Sequence, residues 1–272
     1  MKTILASTDF SDTGNNATDY AAGLAQEVNA RLVLLNCFQI PVIASDGPAV
    51  TIPYEELELN SIKQLKEKQT ELQKKFPKVQ IDAVSRVGFA DQEITHYTNI
   101  YHFDLIIMGI SGLGKIAQLL GSTATYVARK TTTPLLIVPP ESTFKAYSNV
   151  VVSFDFHGVE NTDCINPALE LVKQFNARVT ALNIREPHHV MTHAESLASK
   201  QADTLLAEVP HRMVNYTDEL PVEGIEHYLG SHQVDLLVML KHKHSFFELL
   251  FNGSLTRKMA FHTHIPFLVL HG

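Results

Sequence analysis

"LLGSTATYVARKTTTPLLIV", residues 119–138, reads as a helix, a threonine-rich turn, a proline and a short apolar strand. Residues 251–270, "FNGSLTRKMAFHTHIPFLVL", repeat the design, with Gly-Ser at the helix entrance and Pro ahead of the strand. The echo runs backwards through the chain in unchanged order. "FDLIIMG" at 103–109 matches "VDLLVML" at 234–240, and "VNARLVLLN" at 28–36 matches "FNARVTALN" at 175–183. "ILASTDFSD" at 4–12 matches "VVVSFDFHG" at 150–158. The offset is 146 for the first Asp and 147 for Asn-Ala-Arg, then 131 for the later Asp and 132 for Gly-Ser and Pro. Four ordered matches describe a tandem duplication whose second copy has a shorter middle. The boundary falls near "PPESTFKAYS", 139–148, giving domains 1–140 and 147–272.

In the first copy, strands are expected near 3–8, 31–37, 79–86, 104–109 and 134–138. They are short, rich in Leu, Ile and Val, and mostly lack alternation, as strands buried on both faces of a parallel sheet do. Ala17, Tyr20, Ala21, Leu24 and Val28 recur at helical spacing over 13–29, and the polar stretch 54–76 reads as an amphipathic helix. Strands alternating with helices imply an α/β class with two tandem doubly wound five-stranded parallel-sheet domains. Such sheets bind ligands beyond the carboxyl ends of their strands. The closing strands "PLLIV" and "PFLVL" are edge hazards if unpaired, so the two copies are expected to pair through them as an internal pseudo-dimer.

Composition excludes several classes. The chain has 272 residues, a formal charge of −7 and no block of Lys or Arg, which argues against a nucleic-acid surface. Its apolar runs are too short to span a bilayer, and "MKTILASTDF" does not read as a signal peptide. Cys37 and Cys164 fall one in each half, so no disulfide framework is expected and a reducing cytoplasm is the default location.

The chemistry-bearing stretch is "MGISGLGKIAQLLGST", 108–123. Gly109-x4-Gly114-Lys115 approaches a Walker loop, but Ile116 stands where a Mg²⁺-binding hydroxyl is required. The loop also follows the fourth strand of its domain, and the next helix starts later, at Gly121-Ser122-Thr123. Gly109, Gly112 and Gly121 permit close backbone approach, while Ser122 and Thr123 can cap the helix. Free N–H groups and the helix dipole at that end favour an anion. A structural turn followed by a helix cap has the same spacing.

Residues 1–140 resemble a universal stress protein domain, and the second copy extends the resemblance over nearly the whole chain. It implies an adenine-nucleotide alpha-hydrolase-like fold. Nucleotide-binding members of the family carry an Asp at the end of the first strand and Gly-x2-Gly-x9-Gly-Ser/Thr after the fourth. Here Asp9 occupies "ASTDFS", and Gly109-x2-Gly112 is followed by eight residues before Gly121-Ser122, one fewer than the pattern. The resemblance implies that Asp9 bonds the adenine or ribose side, Ser7 sits beside the base and the Cys37 backbone meets the adenine edge. It places Met108 and Gly109 by the ribose, with Gly112, Gly121, Ser122 and Thr123 around the phosphates of ATP or AMP, with or without Mg²⁺.

The second copy lacks these glycines: Leu240 and Lys243 stand in their places before Gly253-Ser254, although Asp155 remains. Phe246, Phe247, Leu250 and Phe251 read as core, or else as a face for a protein or lipid partner. Twelve of the fourteen histidines lie after residue 150, including His188, His189, His193, His242, His244, His262 and His264. None has a zinc-motif spacing, so zinc is not expected. The leading expectation is a cytoplasmic stress-response protein that binds ATP or AMP in its first domain for sensing or regulation. A slow ATPase and a nucleotide-free interaction module acting through the second domain are the alternatives. An unidentified protein partner and further homodimerisation stay open.

Overall fold

The computed structural model describes residues 1–40, 53–110, 122–154, 162–241 and 264–271. The first half contains β1 (Thr3–Ser7), α1 (Asp12–Val28), β2 (Arg31–Phe38), α2 (Tyr54–Lys75), β3 (Ile81–Val87), α3 (Ala90–Ile100), β4 (Leu105–Gly109), α4 (Ser122–Lys130) and β5 (Leu135–Val138). The second contains β6 (Asn149–Ser153), a 3₁₀ turn at Thr162–Ile165, α5 (Asn166–Phe175), β7 (Arg178–Arg185), α6 (His193–Leu205), β8 (His211–Thr217), α7 (Pro221–Ser231), β9 (Leu236–Lys241) and β10 (Phe267–His271). One ten-stranded sheet runs β3-β2-β1-β4-β5-β10-β9-β6-β7-β8. Every pairing within a half is parallel, and the halves meet where β5 pairs antiparallel with β10. The anticipated pairing of closing strands is therefore what closes the two inner edges.

The repeated residues are structural fasteners. Asn29 and Asn176 end α1 and α5 in the left-handed region, at φ 54° and 52°. Asn tolerates that region better than most residues. The next N–H, of Ala30 or Ala177, turns back to Ala25 or Val172 at 2.8 and 2.9 Å. Asp104 Oδ2 accepts from the amides of Lys2 and Thr3, and Asp235 Oδ2 from those of Ser148 and Asn149. Each Asp thus ties the start of the fourth strand of its half to the start of the first.

Strand side chains divide between two layers. Ile4, Ala6, Leu105 and Ile107 face α1 and α2, while Leu5, Leu35, Ile106 and Met108 face α3 and α4. Both layers continue into the second half through β5 and β10. Each fully buried aliphatic side chain contributes about 1.5–3 kcal/mol of hydrophobic stabilisation.

The inter-copy segment is packed rather than free. Tyr147 is 1% exposed, its hydroxyl 2.9 Å from that of Tyr20. Phe144 meets Tyr20, Tyr147 and Phe175, joining α1 of one half to α5 of the other. The N-terminal amine adds a cross-half ion pair to Glu170 at 2.9 Å.

Candidate functional site

β1 and β4 are neighbours in the sheet, yet α1 follows the first and α4 the second, on opposite faces. This is the switch point at which doubly wound sheets open a crevice. A solvent-open cleft of about 600 Å³ lies there. Its lining includes Ser7 and Asp9 after β1, Cys37 near the end of β2, Met108 and Gly109 at the end of β4, and Thr123 in the first turn of α4. Six of the nine residues singled out from sequence therefore share one cavity. Ser122 opens α4. Gly112 and Gly121 lie outside the described residues, as does the loop between them.

The floor is built by a short turn. Phe10 takes a left-handed backbone, φ 63°, which bulky residues rarely adopt. Its N–H donates to Thr8 Oγ1 at 2.9 Å. The turn throws the exposed Asp9 carboxylate back over the start of α1, where Oδ1 accepts from Ser11 N at 3.0 Å and Ser11 Oγ at 2.5 Å. Ser11 caps α1 in turn, accepting from Gly14 N at 3.1 Å. A Cβ on Gly14 would stand 2.6 Å from Asp9 Oδ1, so glycine there leaves room for the carboxylate. Gly109 serves the same purpose across the sheet, since its Cβ would lie 2.6 Å from the Thr13 carbonyl oxygen.

A buried polar chain fixes the turn from below. Asn36 Nδ2 donates to Thr8 O at 2.8 Å, and Ser61 Oγ donates to Asn36 Oδ1 at 2.7 Å. Ser61 Oγ lies 2.6 Å from Ser85 Oγ, so α2, β2 and β3 are coupled to the floor. The walls are apolar: Leu35, Ala90, Ile94 and Met108. Burial, reinforced by Glu93 and opposed by Arg86, pushes the Cys37 thiol up to about 12. At neutral pH it is a protonated packing group rather than a nucleophile. Thr123 and Ala124 bring the amino end of α4 to the rim. An apolar slot, a carboxylate and a helix N-terminus can accommodate a flat ring, a hydrogen-bond donor and an anion respectively.

Sequence reasoning missed Thr8, Ser11, Thr13, Gly14 and the α3 residues Ala90 and Ile94, all of which line the cleft. The cap pattern Ser11-x-x-Gly14 was the available signal for the α1 group. Ile94 carries only the helical spacing of a core residue.

The second half repeats the latch, with a leucine in place of Gly109 at the end of its fourth strand. Phe154 N donates to Leu182 O, as Thr8 N does to Leu35 O. Asn183, with its amide turned to give the nitrogen an acceptor, donates to Phe154 O at 3.3 Å. Leu240, which stands in the register place of Gly109, is 5% exposed and packs in the α5-side layer with Phe154 and Cys164. Asp155, His242, Lys243, His244, Phe246, Phe247, Leu250, Phe251, Gly253, Ser254 and His262 lie outside the described residues. His189, His211 and His227 each pair with a carboxylate, of Glu195, Asp203 and Asp218. No cluster of three or more metal-ligating side chains occurs among the described residues, nor any helix long and apolar enough to cross a membrane.

The chain belongs to the universal stress protein family, whose model matches it twice, at residues 1–139 and 146–271. It is 25% identical over 297 residues to a universal stress protein of Synechocystis, covering 98% of this chain and 99% of the relative. A universal stress protein structure from Archaeoglobus fulgidus superposes with a TM-score of 0.73 at 15% identity, covering 98% and 95% of the two chains. A universal stress protein in complex with cAMP covers 50% of this chain and 96% of its own, at 26% identity and a TM-score of 0.41.

Proposed function

We propose that the first half binds an adenine nucleotide, ATP or AMP, in the cleft at the β1/β4 switch point, and that the protein is a cytoplasmic nucleotide-responsive stress protein. One observation carries the reading: six residues chosen for this role from sequence line a single cavity. In the proposed pose the base lies between Leu35, Ile94 and Met108. Asp9 accepts a hydrogen bond from the base or the ribose. The α4 amides and dipole face the phosphates, with Gly112, Gly121 and Ser122 completing the cradle. Asp9 already accepts from Ser11 on one oxygen, which leaves the other for a ligand hydroxyl or amine. Leu240 supports confining the role to the first half, because a leucine stands where the proposed cradle uses a bare backbone.

Calorimetric titration with ATP and AMP, each with and without Mg²⁺, tests the reading. Asp9→Ala is expected to weaken binding about 10- to 100-fold, the range for a hydrogen bond to a charged group, with unchanged circular dichroism. Gly112→Val is expected to abolish it. Unchanged affinity in both variants would place the nucleotide elsewhere. Release of labelled phosphate that Asp9→Ala leaves untouched would favour a slow ATPase acting outside this cleft.

A further inference from the structure

Threonines inside the helices of this chain spend their hydroxyls on the backbone behind them. Thr18, Thr70, Thr95, Thr98 and Thr204 each donate to a carbonyl three or four residues back, at 2.7–3.0 Å. Thr13 does not. It stands in the first turn of α1, and the Phe10 carbonyl three residues back is already taken by Asn15 Nδ2 at 3.0 Å. Among the described residues nothing bonds Thr13 Oγ1. The residue is half-buried and lines the cleft. Its methyl is seated on the end of β4, since a Cβ on Gly109 would lie 3.0 Å from Thr13 Cγ2. That contact holds a β-branched side chain in one rotamer, and the hydroxyl with it.

The neighbouring polar groups are spent differently. Thr8 Oγ1 and Ser11 Oγ are engaged in the floor turn and the α1 cap. Asp9 uses Oδ1 for Ser11, and Oδ2 has no partner among the described residues. Among the described residues that line the cleft none is basic, and Asp9 is its one charge. A carboxylate oxygen near a neutral hydroxyl, with no cation, suits a ligand group that donates hydrogen bonds and disfavours a phosphate. In strand order the cleft passes from the apolar wall of β2 and α3, past Asp9 after β1, to Thr13 and Gly109 at the end of β4. Between a base on that wall and phosphates at α4, the part of a nucleotide that lies there is the sugar.

We infer, on the adenine-nucleotide reading above, that Thr13 is a specificity-determining residue of the cleft: its Oγ1 bonds one hydroxyl of the ribose diol while Asp9 Oδ2 accepts from the other, so that the site selects ribonucleotides over deoxynucleotides. The role falls to the first turn of α1, where a threonine has a free hydroxyl and a fixed methyl at once.

Calorimetric titration of the full chain with AMP, 2′-deoxy-AMP and 3′-deoxy-AMP, and with the matching triphosphates, tests this in the parent, Thr13→Val and Thr13→Ser. Valine keeps the methyl on Gly109 and the shape of the side chain without the hydroxyl, and serine keeps the hydroxyl. The parent is expected to bind the ribonucleotide about 5-fold or more tighter than either deoxy analogue. Thr13→Val should lose about 5- to 10-fold for the ribonucleotide, and nothing for the deoxy analogue that lacks the hydroxyl Thr13 contacts. Thr13→Ser should recover the parent preference. Equal ribonucleotide affinity in the parent and Thr13→Val would overturn the role of Thr13 and leave the cleft reading standing. An equal loss for all three sugars in Thr13→Val would overturn it too, because a structural role weakens every ligand alike. A parent that binds no nucleotide would overturn the cleft reading itself, and the role of Thr13 with it.

Discussion

At the end of β4, Gly109 lets the Thr13 carbonyl approach to a distance no side chain tolerates. At the same place in the second half, Leu240 projects into the layer beneath α5. The helices that follow the first strand of each half differ as well: α1 begins at Asp12 on a Ser11 cap, whereas α5 begins at Asn166 after a 3₁₀ turn. One frame therefore supports two kinds of strand end. The fasteners that hold the strands together recur, and Gly109, which shapes the crevice, does not. Duplication preserved packing and hydrogen-bond closure at the amino ends of the strands, and let the carboxyl ends diverge in chemistry.

Four measurements would break or sharpen that contrast. The largest effect is expected from Leu240→Ala, which should cost about 2–5 kcal/mol in denaturant unfolding by emptying packed space. A neutral result would mean that the second half had room for a glycine-like rim after all. Next comes Gly109→Leu, the second-half residue in the first-half position. Crowding of Thr13 should cost about 1–3 kcal/mol and close the cleft, read as loss of nucleotide titration. Ser61→Ala should cost about 1–2 kcal/mol by leaving the buried Asn36 amide oxygen without its donor. Met191→Ala, in the uncovered stretch before α6, should change stability by less than about 0.5 kcal/mol.

The smallest effect is one of pH. Burial opposes the charged form of His211, but hydrogen bonds to Asp203 and the Val209 carbonyl outweigh it and hold its pKa above the usual histidine value. Asp218 does the same for the exposed His227. Both contributions are complete below the unfolded pKa and fade as pH rises through the raised folded values. Melting temperature should therefore fall slightly between pH 6 and 8, less than in any substitution above. The slope should flatten in the His211→Gln, His227→Gln double variant.

Legibility followed the same division. The duplication, the succession of strands and helices and the pairing of β5 with β10 could be read from repeated apolar runs and their offsets. Asn29 and Asn176 were visible as a shared tripeptide, although their left-handed caps were not. The drift in offset is now localised: 42 residues separate β2 from β3, and 25 separate β7 from β8. Within the cleft, residues bearing a family pattern were legible. Leu35, Ile94 and Ala124 were not, because nothing local distinguishes an apolar wall from an apolar core. The latch through Asn36, Ser61 and Ser85 joins residues 24 and 25 apart in sequence, and only the packed fold brings them into line.

The antiparallel seam between β5 and β10 turns the two sets of parallel strands head to tail. Their carboxyl ends consequently emerge on opposite rims of one continuous slab. An occupant of the crevice by Asp9 would therefore approach from the rim opposite the carboxyl ends of the second-half strands. An influence of that occupant on the second half can pass through three residue pairs, Leu135–Ile137 against Phe267–Val269, and through the rings of Tyr20, Phe144 and Phe175.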